Sequence, residues 1–217
     1  MPESEIFNID CMLGMATYPD KYFDLAIVDP PYGIGEDGRN NHTRSNLAKA
    51  SDYRGRTKYD CYKPDAEYFE QLFRVSKNQI IWGANHFGNM PASSAWIIWD
   101  KRNGENDFAD CELAYSSFDI AARKFEWRWN GMLQEDMKNK ETRIHPNQKP
   151  LPLYKWLLKN YAKEGDKILD THLGSGSSRI AAYEMGFDFT GYEIDKDYLE
   201  ASEKRFNQFR AQTKLFV

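Results

Sequence analysis

Residues 29–33, "DPPYG", directly follow the apolar run "FDLAIV" and combine groups that could form a polar binding site. Proline has no amide donor and a fixed backbone angle, so two prolines in succession end a buried strand. The Asp29 carboxylate, the bare Pro30 carbonyl and the Tyr32 ring would then be held together where that strand ends. The alternative is an ordinary sharp turn.

A second turn, at residues 170–176, separates the strand-like "KILD" from the helix-like "SSRIAAYEMG". Gly174 and Gly176 would let a ligand approach the backbone amides at the start of that helix. The third glycine of the dinucleotide fingerprint is replaced by Arg179. A lone G-x-G therefore leaves a plain tight turn open as the alternative.

Two carboxylates favour a ligand at this glycine turn. Asp170 ends the preceding strand, where an acid is costly to bury without a partner. Glu193 follows Gly174 by nineteen residues, at the end of the next strand, from which an acid accepts the ribose hydroxyls of an adenosine cofactor. Because phosphate cofactors usually need the full fingerprint or a P-loop lysine, S-adenosylmethionine fits better. A solvent-exposed strand end is the alternative for Glu193.

Hydrophobic periodicity predicts alternating strands and helices around these two turns. Strands are predicted at 6–10, 23–28, 78–84, 95–100, 111–118, 166–170 and 187–195. Helices are predicted at 66–76, 149–165, 177–186 and 196–212, with a short helix after residue 10. This alternation indicates an α/β fold with a mostly parallel sheet. The connection between 95–100 and 111–118 is only about ten residues, short for a crossover, so one strand is expected to run antiparallel.

The two turns should face one crevice. Asp29 and Gly174 each follow a predicted parallel strand, and the carboxyl ends of such strands share one edge of an open α/β sheet, where ligands bind.

Length and composition bound the class of protein. The 217 residues, 41% apolar and 15% aromatic, fit a single packed domain over 1–217. The apolar runs are too short to span a bilayer, and the acidic N-terminus does not look like a signal peptide. Three widely spaced cysteines without a CxxC pair argue against a zinc site and for a reducing, cytoplasmic location.

Two basic segments interrupt a chain whose net charge is −4. Residues 39–63 carry seven Lys or Arg and two acids, and residues 123–149 carry seven and four. Basic segments on an acidic body are typical of local contact with a polyanion, and solvated loops are the alternative. The first segment lies in an aperiodic stretch, about residues 34–64, which we expect to be a mobile loop.

Three motifs in order resemble the beta-class amino methyltransferases of DNA: "DPPY", then "HPNQKP" at 145–150, then D-x-x-x-G-S-G-S at 170–177. The resemblance runs from "NIDCM" to "GYEID", and only the ordered set is specific. It implies a Rossmann-like methyltransferase fold with a mostly parallel seven-stranded sheet, one antiparallel strand and a circularly permuted order, with the catalytic motif before the cofactor motif. The aspartate form of the tetrapeptide resembles enzymes that methylate N6 of adenine.

The resemblance implies catalytic roles for Asp29, Pro30, Pro31 and Tyr32. The Asp29 carboxylate and the rigid Pro30 carbonyl would each accept from one N–H of the adenine amino group, so that its lone pair faces the sulfonium methyl. The base would stack on Tyr32. A base inside a duplex would first have to be flipped out.

The resemblance also implies a set of residues that bind S-adenosylmethionine, with no metal. They are Asp10, Cys11, Asp29, His145, Gln148, Lys149, Asp170, His172, Gly174, Ser175, Gly176, Ser177, Glu193 and Ile194. Glu193 would hold the ribose, and Asp10 would lie near the adenine amino group of the cofactor. Gln148 and Lys149 would lie near its carboxylate, although Lys149 could instead simply begin a helix. Thr171 and His172 stand where many members have Pro-Phe, and packing is favoured over a general-base role for His172.

Contacts with DNA are assigned by the same resemblance to three regions. Trp99, Lys101 and Phe108 would line the pocket of the target base, with core packing as the alternative for the two aromatic residues. A short target-recognition segment is expected at about 117–144, where tryptophans interleave with basic residues; an amphipathic strand is the alternative. The basic residues expected to contact DNA are Arg39, Arg44, Arg54, Arg56, Lys58, Arg123, Lys124 and Arg128.

Several functions stay open at this point. The main hypothesis is a DNA adenine-N6 methyltransferase that acts on DNA, not on a membrane, and could form a homodimer. N4-cytosine or RNA adenine methylation would use the same chemistry. A cofactor-binding but inactive partner subunit is the alternative of another class, and the intact tetrapeptide argues against it. A nicotinamide dehydrogenase is disfavoured by the missing third glycine.

Overall fold

The computed structural model describes residues 1–35, 60, 62–88, 90–104, 109–130 and 133–213. Its strands are β1 (Ser4–Phe7), β2 (Phe23–Val28), β3 (Ser76–Trp82), β4 (Ile97–Asp100), β5 (Cys111–Ser116), β6 (Arg123–Glu126), β7 (Trp129–Asn130), β8 (Leu133–Gln134), β9 (Lys167–Asp170) and β10 (Asp188–Tyr192). Its helices are α1 (Cys11–Met15), α2 (Ala66–Val75), α3 (Leu151–Tyr161), α4 (Ser177–Glu184) and α5 (Lys196–Thr213), with a 3₁₀ turn at Ala84–His86.

Within the described residues, eight strands form one sheet in the order β1-β10-β9-β2-β3-β5-β4-β6. Strand β5 pairs antiparallel with both β3 and β4, and the other pairings are parallel. The α/β fold with one antiparallel strand in a mostly parallel sheet is therefore confirmed. The expected count of seven strands is wrong, because β6 adds an eighth beside β4 in the stretch that the sequence assigns to target recognition. Strands β7 and β8 form a separate antiparallel pair.

Both faces of the sheet are covered by helices, as the continuous apolar run of β2 requires. Leu25 and Ile27 pack into one hydrophobic cluster with side chains of α3 and α4. Ala26 and Val28 belong to a second cluster, with side chains of α1 and α2. Successive residues of the strand thus bury opposite faces, and the core is a three-layer sandwich.

The carboxyl ends of five parallel neighbours lie along one edge of the sheet. Strand β2 pairs directly with β9, through Leu25 with Ile168 and Ala26 with Leu169. The "DPPYG" turn leaves β2 and the glycine turn leaves β9, so the two turns face the same edge, as the sequence predicts. Strands β10 and β1 continue that edge on one side of β9, and β3 continues it beyond β2.

None of the helices within the described ranges is long and apolar enough to cross a membrane.

The core face of α3 offers a test of this packing. Leu157 is fully buried between α3 and the sheet, so Leu157→Ala should lower the free energy of unfolding by about 2–5 kcal/mol. Chemical denaturation monitored by circular dichroism would measure it. Leu13→Ala is the matched control, since Leu13 is 67% exposed, and should change the free energy by less than about 0.5 kcal/mol. Equal losses in the two variants would contradict this core assignment.

Candidate active site

The "DPPYG" turn begins at Asp29, the first residue after β2, and both oxygens of the Asp29 carboxylate are in contact with other side chains. Tyr32 OH donates to Oδ1 at 2.7 Å, and Lys149 Nζ lies 2.5 Å from Oδ2. Lys149 Nζ also donates to Tyr32 OH at 3.2 Å. The lysine side chain is 3% exposed. These three contacts fix the orientation of the carboxylate at the sheet edge.

Lys149 continues into a chain of alternating charges. Its Nζ lies 3.1 Å from Glu112 Oε2, an ion pair without hydrogen-bond alignment. Glu112 Oε1 lies 2.5 Å from Lys101 Nζ. Glu112 comes from β5, and nothing in the sequence motifs marks it, because its partners come from segments far apart in the chain. The order of contacts is therefore Lys101, Glu112, Lys149, Asp29.

Burial and pairing act in opposite directions on these groups. Burial raises the pKa of the Asp29 carboxyl, and the nearby Glu112 charge adds to the rise against the opposing effect of Lys149. Burial alone would also raise the pKa of Glu112, but the Lys149 and Lys101 ammonium groups lower it to about 2. Glu112 is thus ionised at neutral pH. Its charge and that of Asp29 raise the pKa of Lys149 in spite of burial, so the lysine stays an ammonium ion.

Asp60 accepts hydrogen bonds from the backbone of the "DPPYG" turn. Its Oδ1 accepts from the amides of Tyr32 at 2.7 Å and Gly33 at 2.9 Å, and its carbonyl accepts from the Gly35 amide at 3.0 Å. Asp60 is only 1% exposed. No sequence motif marks Asp60, since it lies in the aperiodic basic stretch. A buried carboxylate with two amide donors fixes the conformation of the turn that carries Tyr32.

The Tyr32 ring is fitted closely against the loop after β3. It stacks with the His86 ring at a centroid distance of 5.2 Å and an angle of 13°, and Phe87 meets it edge-on at 6.3 Å. Gly83 has φ +67°, and a Cβ built there would lie 2.0 Å from Tyr32 Cε1. Only a residue without a side chain lets the ring lie so close to the backbone.

Two carboxylates, Asp170 and Glu193, connect the glycine turn after β9 to neighbouring segments by hydrogen bonds. Asp170 accepts from Ser178 Oγ at 2.5 Å and from the His172 amide at 3.0 Å, while burial raises its pKa to about 7. Glu193 Oε2 accepts from the Gly174 amide at 2.8 Å. The turn conformation itself needs glycine, because φ is positive at both Gly174 and Gly176.

A cavity of about 120 Å³ opens beside this turn. Its lining residues come from the ends of β1, β9 and β10 and are Ile9, Asp10, Cys11, Thr171, His172, Tyr192, Glu193 and Ile194. Five of the residues expected to bind the cofactor thus line the same cavity: Asp10, Cys11, His172, Glu193 and Ile194. The strand before Asp10 ends at Phe7, and Asp10 is the N-cap of α1, where its Oδ1 accepts from the Met12 amide at 2.8 Å.

Two side chains of the cavity are uncharged at neutral pH. Burial lowers the pKa of His172 to about 4 and raises that of Cys11 to about 12. His172 Nδ1 lies 3.0 Å from Thr171 Oγ1, which in turn lies 2.6 Å from Tyr68 OH. The imidazole is therefore a neutral, fixed wall, which suits packing better than proton uptake.

The "HPNQKP" segment closes over the glycine turn. The His145 ring lies 3.6 Å from the position a Gly174 Cβ would take and packs edge-on against Tyr198 at 4.4 Å. Gln148 Oε1 accepts from the Ile144 amide at 2.9 Å, so its side chain braces the segment. Arg205 of α5 donates to the Ser175 carbonyl and to Ser177 Oγ, both at 2.9 Å. These contacts join the segment, the turn and the last helix.

The sequence of the chain matches an established family over most of its length. Residues 23–204 match the family model described as DNA methylase. The chain belongs to the DNA methylase family. Type II methyltransferase M2.MboI of Moraxella bovis is 26% identical over 94% of this chain and 87% of its own length.

Solved methylase structures share the fold. The crystal structure of the M1.HpyAVI–SAM complex superposes with a TM-score of 0.54 at 18% identity, over 94% of this chain and 100% of that one. The cytosine-N4-specific PvuII DNA methyltransferase gives a TM-score of 0.56 at 10% identity, over 96% of this chain and 92% of that one.

The residues expected to contact the target base or DNA differ in their surroundings. Trp99 is a core side chain, 1% exposed, whose Nε1 donates to the Trp127 carbonyl at 3.0 Å. Lys101 lies 5.2 Å above the Trp99 ring and faces Glu112. On and after β6, three basic residues are exposed: Arg123, Lys124 and Arg128. Outside the described residues lie Phe108, Arg39, Arg44, Arg54, Arg56 and Lys58.

In the described part of the chain, no group of three or more His, Cys, Asp or Glu side chains is arranged to hold a metal ion.

The close fit of Tyr32 against Gly83 predicts a specific loss. In Gly83→Ala the new Cβ would overlap the Tyr32 ring, so the ring must move and the rate of methyl transfer should fall by about tenfold or more, since small displacements at a reacting centre are costly. Cofactor affinity should be unchanged. Steady-state methylation kinetics and calorimetric titration with the cofactor would measure the two effects.

Gly186→Ala controls for backbone strain, because Gly186 also has positive φ, at +84°, but a Cβ there meets nothing within 4 Å. It should leave the methylation rate unchanged. A normal rate in Gly83→Ala, or a matching loss in Gly186→Ala, would refute the contact with Tyr32 as the cause.

Proposed function

We propose that this DNA methylase transfers the methyl group of S-adenosylmethionine to the N6 amino group of an adenine flipped out of DNA. The observation that carries the proposal is the pairing of β2 with β9. It brings the Asp29–Tyr32 turn and the glycine turn side by side at one sheet edge, so an acceptor of the methyl group and its donor can meet there.

The residues around the glycine turn fit the cofactor. The cavity offers carboxylates on two sides, at Asp10 and Glu193, beside apolar walls from Ile9 and Ile194, as hydroxyls and a purine require. Its volume of about 120 Å³ is below the roughly 300–1,000 Å³ of complete small-molecule sites, so it accounts for one end of the cofactor. Gly174, Ser175 and Gly176 would hold the other end.

The bound cofactor supplies an electrophilic methyl group on a sulfonium, and the electrons of the broken S–C bond stay on sulfur. The chain supplies the position of the amino group. The Asp29 carboxylate and the Pro30 carbonyl would each accept one of its N–H bonds, which directs the nitrogen lone pair outward. Because Tyr32 and Lys149 already restrain Asp29, little reorganisation is needed when the base arrives.

Asp29 is the feature that favours adenine, since the aspartate form of the tetrapeptide resembles the N6-adenine enzymes. Methylation of cytosine N4 is the second candidate, and the fold supports it equally, given the similarity to the cytosine-N4-specific PvuII enzyme. Both bases present an amino group beside a ring nitrogen, so the same acceptors would serve either one.

The surface around β6 supports contact with DNA. Arg123, Lys124 and Arg128 are exposed on and after that strand, and such residues would neutralise phosphates. The proposed partner is the DNA of the cell in which the enzyme is made, and a cytoplasmic location is part of this proposal. M2.MboI carries the name of a type II methyltransferase, which supports a place in DNA modification for this chain as well.

The base can be identified directly. Purified protein with cofactor labelled in the methyl group should label duplex DNA oligonucleotides that contain adenine, and digestion to nucleosides should yield N6-methyl-2′-deoxyadenosine by mass spectrometry. Matched duplexes whose adenines are replaced by a purine without the amino group should stay unlabelled. N4-methylcytosine as the product would establish the second candidate instead, and no transfer to any DNA in the presence of bound cofactor would favour an inactive partner subunit.

Replacing the catalytic carboxylate should separate chemistry from cofactor binding. Asp29→Asn keeps the volume but removes the charge and one acceptor, so kcat should fall by about a hundredfold or more. The cofactor Kd, measured by calorimetry, should be unchanged, because Asp29 acts on the target amino group. Asp20→Asn is the control, with a side chain 76% exposed. Parallel loss of cofactor binding and activity would reassign Asp29 to the cofactor.

A further inference from the structure

Glu112 is a half-buried acid that the proposed mechanism does not use. It lies in β5, reaches the catalytic centre through Lys149, and is held on its other oxygen by Lys101. Its side chain is 22% exposed and that of Lys149 is 3% exposed. Ion pairs in such surroundings lose much of their Coulombic gain to desolvation, so stability alone gives little reason for them.

The charge of Glu112 matters because Lys149 neutralises Asp29. The two groups in contact, at 2.5 Å, carry no net charge between them. Glu112 adds one negative charge beside the same Lys149 ammonium group, which lies 3.1 Å from its Oε2. Whether Lys101 is counted or not, loss of the Glu112 charge makes the centre one unit more positive.

Methyl transfer to an amino group places positive charge at this centre. The S–C bond breaks and leaves its electrons on sulfur, so the positive charge of the sulfonium moves with the methyl group to the nitrogen. The nitrogen loses that charge when one of its protons passes to solvent water. Preorganised negative charge near a site where positive charge develops lowers the barrier, and its effect is larger where water is excluded. An extra positive unit would act in the opposite direction.

We propose that Glu112 is a positioning residue for methyl transfer: it holds the Lys149 ammonium against Asp29 and offsets its charge, so that the centre accepts positive charge on the substrate nitrogen. This inference rests on the proposed function. Glu112 acts through Lys149 and needs no contact with the base. Its low pKa, about 2, keeps the charge present across the neutral range.

The test compares two variants of the full chain with wild type, each with S-adenosylmethionine and the DNA duplex that wild type methylates. Glu112→Gln keeps the shape and removes the charge, so kcat should fall roughly tenfold to a hundredfold, while KM for the cofactor and for DNA stays near the wild-type value. Glu112→Asp keeps the charge on a shorter side chain and should retain clearly more of kcat than Glu112→Gln.

Glu184→Gln is the matched control, because Glu184 also pairs with a lysine, Lys155 at 2.6 Å, but on the outer helices. It should have wild-type kinetics. Thermal midpoints and cofactor Kd values, measured on the same samples, should show that all three variants fold and bind cofactor. If Glu112→Gln does not fold, the comparison of Glu112→Asp with wild type decides: a large loss of kcat with unchanged thermal midpoint and cofactor Kd, although the charge is kept, would overturn the proposal.

Wild-type kcat in Glu112→Gln would overturn the proposal. Equal losses of kcat in Glu112→Gln and Glu112→Asp would overturn it too, because they would mean that the shape of the side chain and not its charge is what matters. A rise in KM with unchanged kcat would also overturn it, since that result assigns Glu112 to binding. Failure of the proposed function is seen separately, because wild type itself would then transfer no methyl group to adenine.

Discussion

The site depends on one pairing of strands. Strand β2 lies beside β9 although some 140 residues separate them in the chain, and the register places Leu25 opposite Ile168. In the proposed function, the turn after β2 carries the acceptors for a substrate amino group, and the turn after β9 carries the glycines that would admit the cofactor. If the strands were not neighbours, the two turns would be complete but too far apart to act on one another. The order of motifs along the chain is therefore free to vary, whereas the order of strands in the sheet is not.

A single lysine side chain, Lys149, contacts the turn after β2 from a third segment of the chain. Lys149 belongs to the "HPNQKP" segment, and the resemblance places it near the cofactor carboxylate. In the structure its ammonium group meets Asp29, Glu112 and the Tyr32 hydroxyl. The same segment contacts the glycine turn through His145. One short segment thus packs against both turns. Movement of one turn would therefore displace this segment and, through it, the other turn.

The sequence predicts the fold better than it predicts the site. Apolar strands and the glycine turn are local patterns, and they suffice for the α/β class, the antiparallel strand and the shared edge. Strand β6 corresponds to the amphipathic strand that the sequence offers only as the alternative for this segment. Its burial is partial: of its four residues only Phe125 is turned toward the core, and charged neighbours mask the strand. Helix α3 ends at Tyr161 and not at Gly165, because Ala162 already has extended backbone angles.

The residues missed at the site share a physical reason. Glu112, Asp60 and Gly83 have ordinary local surroundings in sequence, and each acquires its role from a partner distant in the chain. Asp60 lies in a basic, aperiodic stretch, yet its carboxylate binds the amides of Tyr32 and Gly33. Gly83 reads as the end of a strand until the Tyr32 ring is seen to lie against it. Such residues cannot be found from spacing, because spacing reports contacts within one element.

The two prolines of "DPPYG" are best understood together with these partners. Prolines restrict the backbone of the turn but cannot donate hydrogen bonds, so they cannot by themselves hold the turn in place. Asp60 supplies acceptors for the amides that follow them, Gly83 leaves room for the ring, and Lys149 fixes the carboxylate that precedes them. A rigid segment is useful to catalysis only when its surroundings fix its position as well as its shape. In the proposed mechanism the tetrapeptide therefore supplies the groups that orient the substrate amino group, while residues of β5, the loop after β3 and the segment before α3 fix the position of those groups.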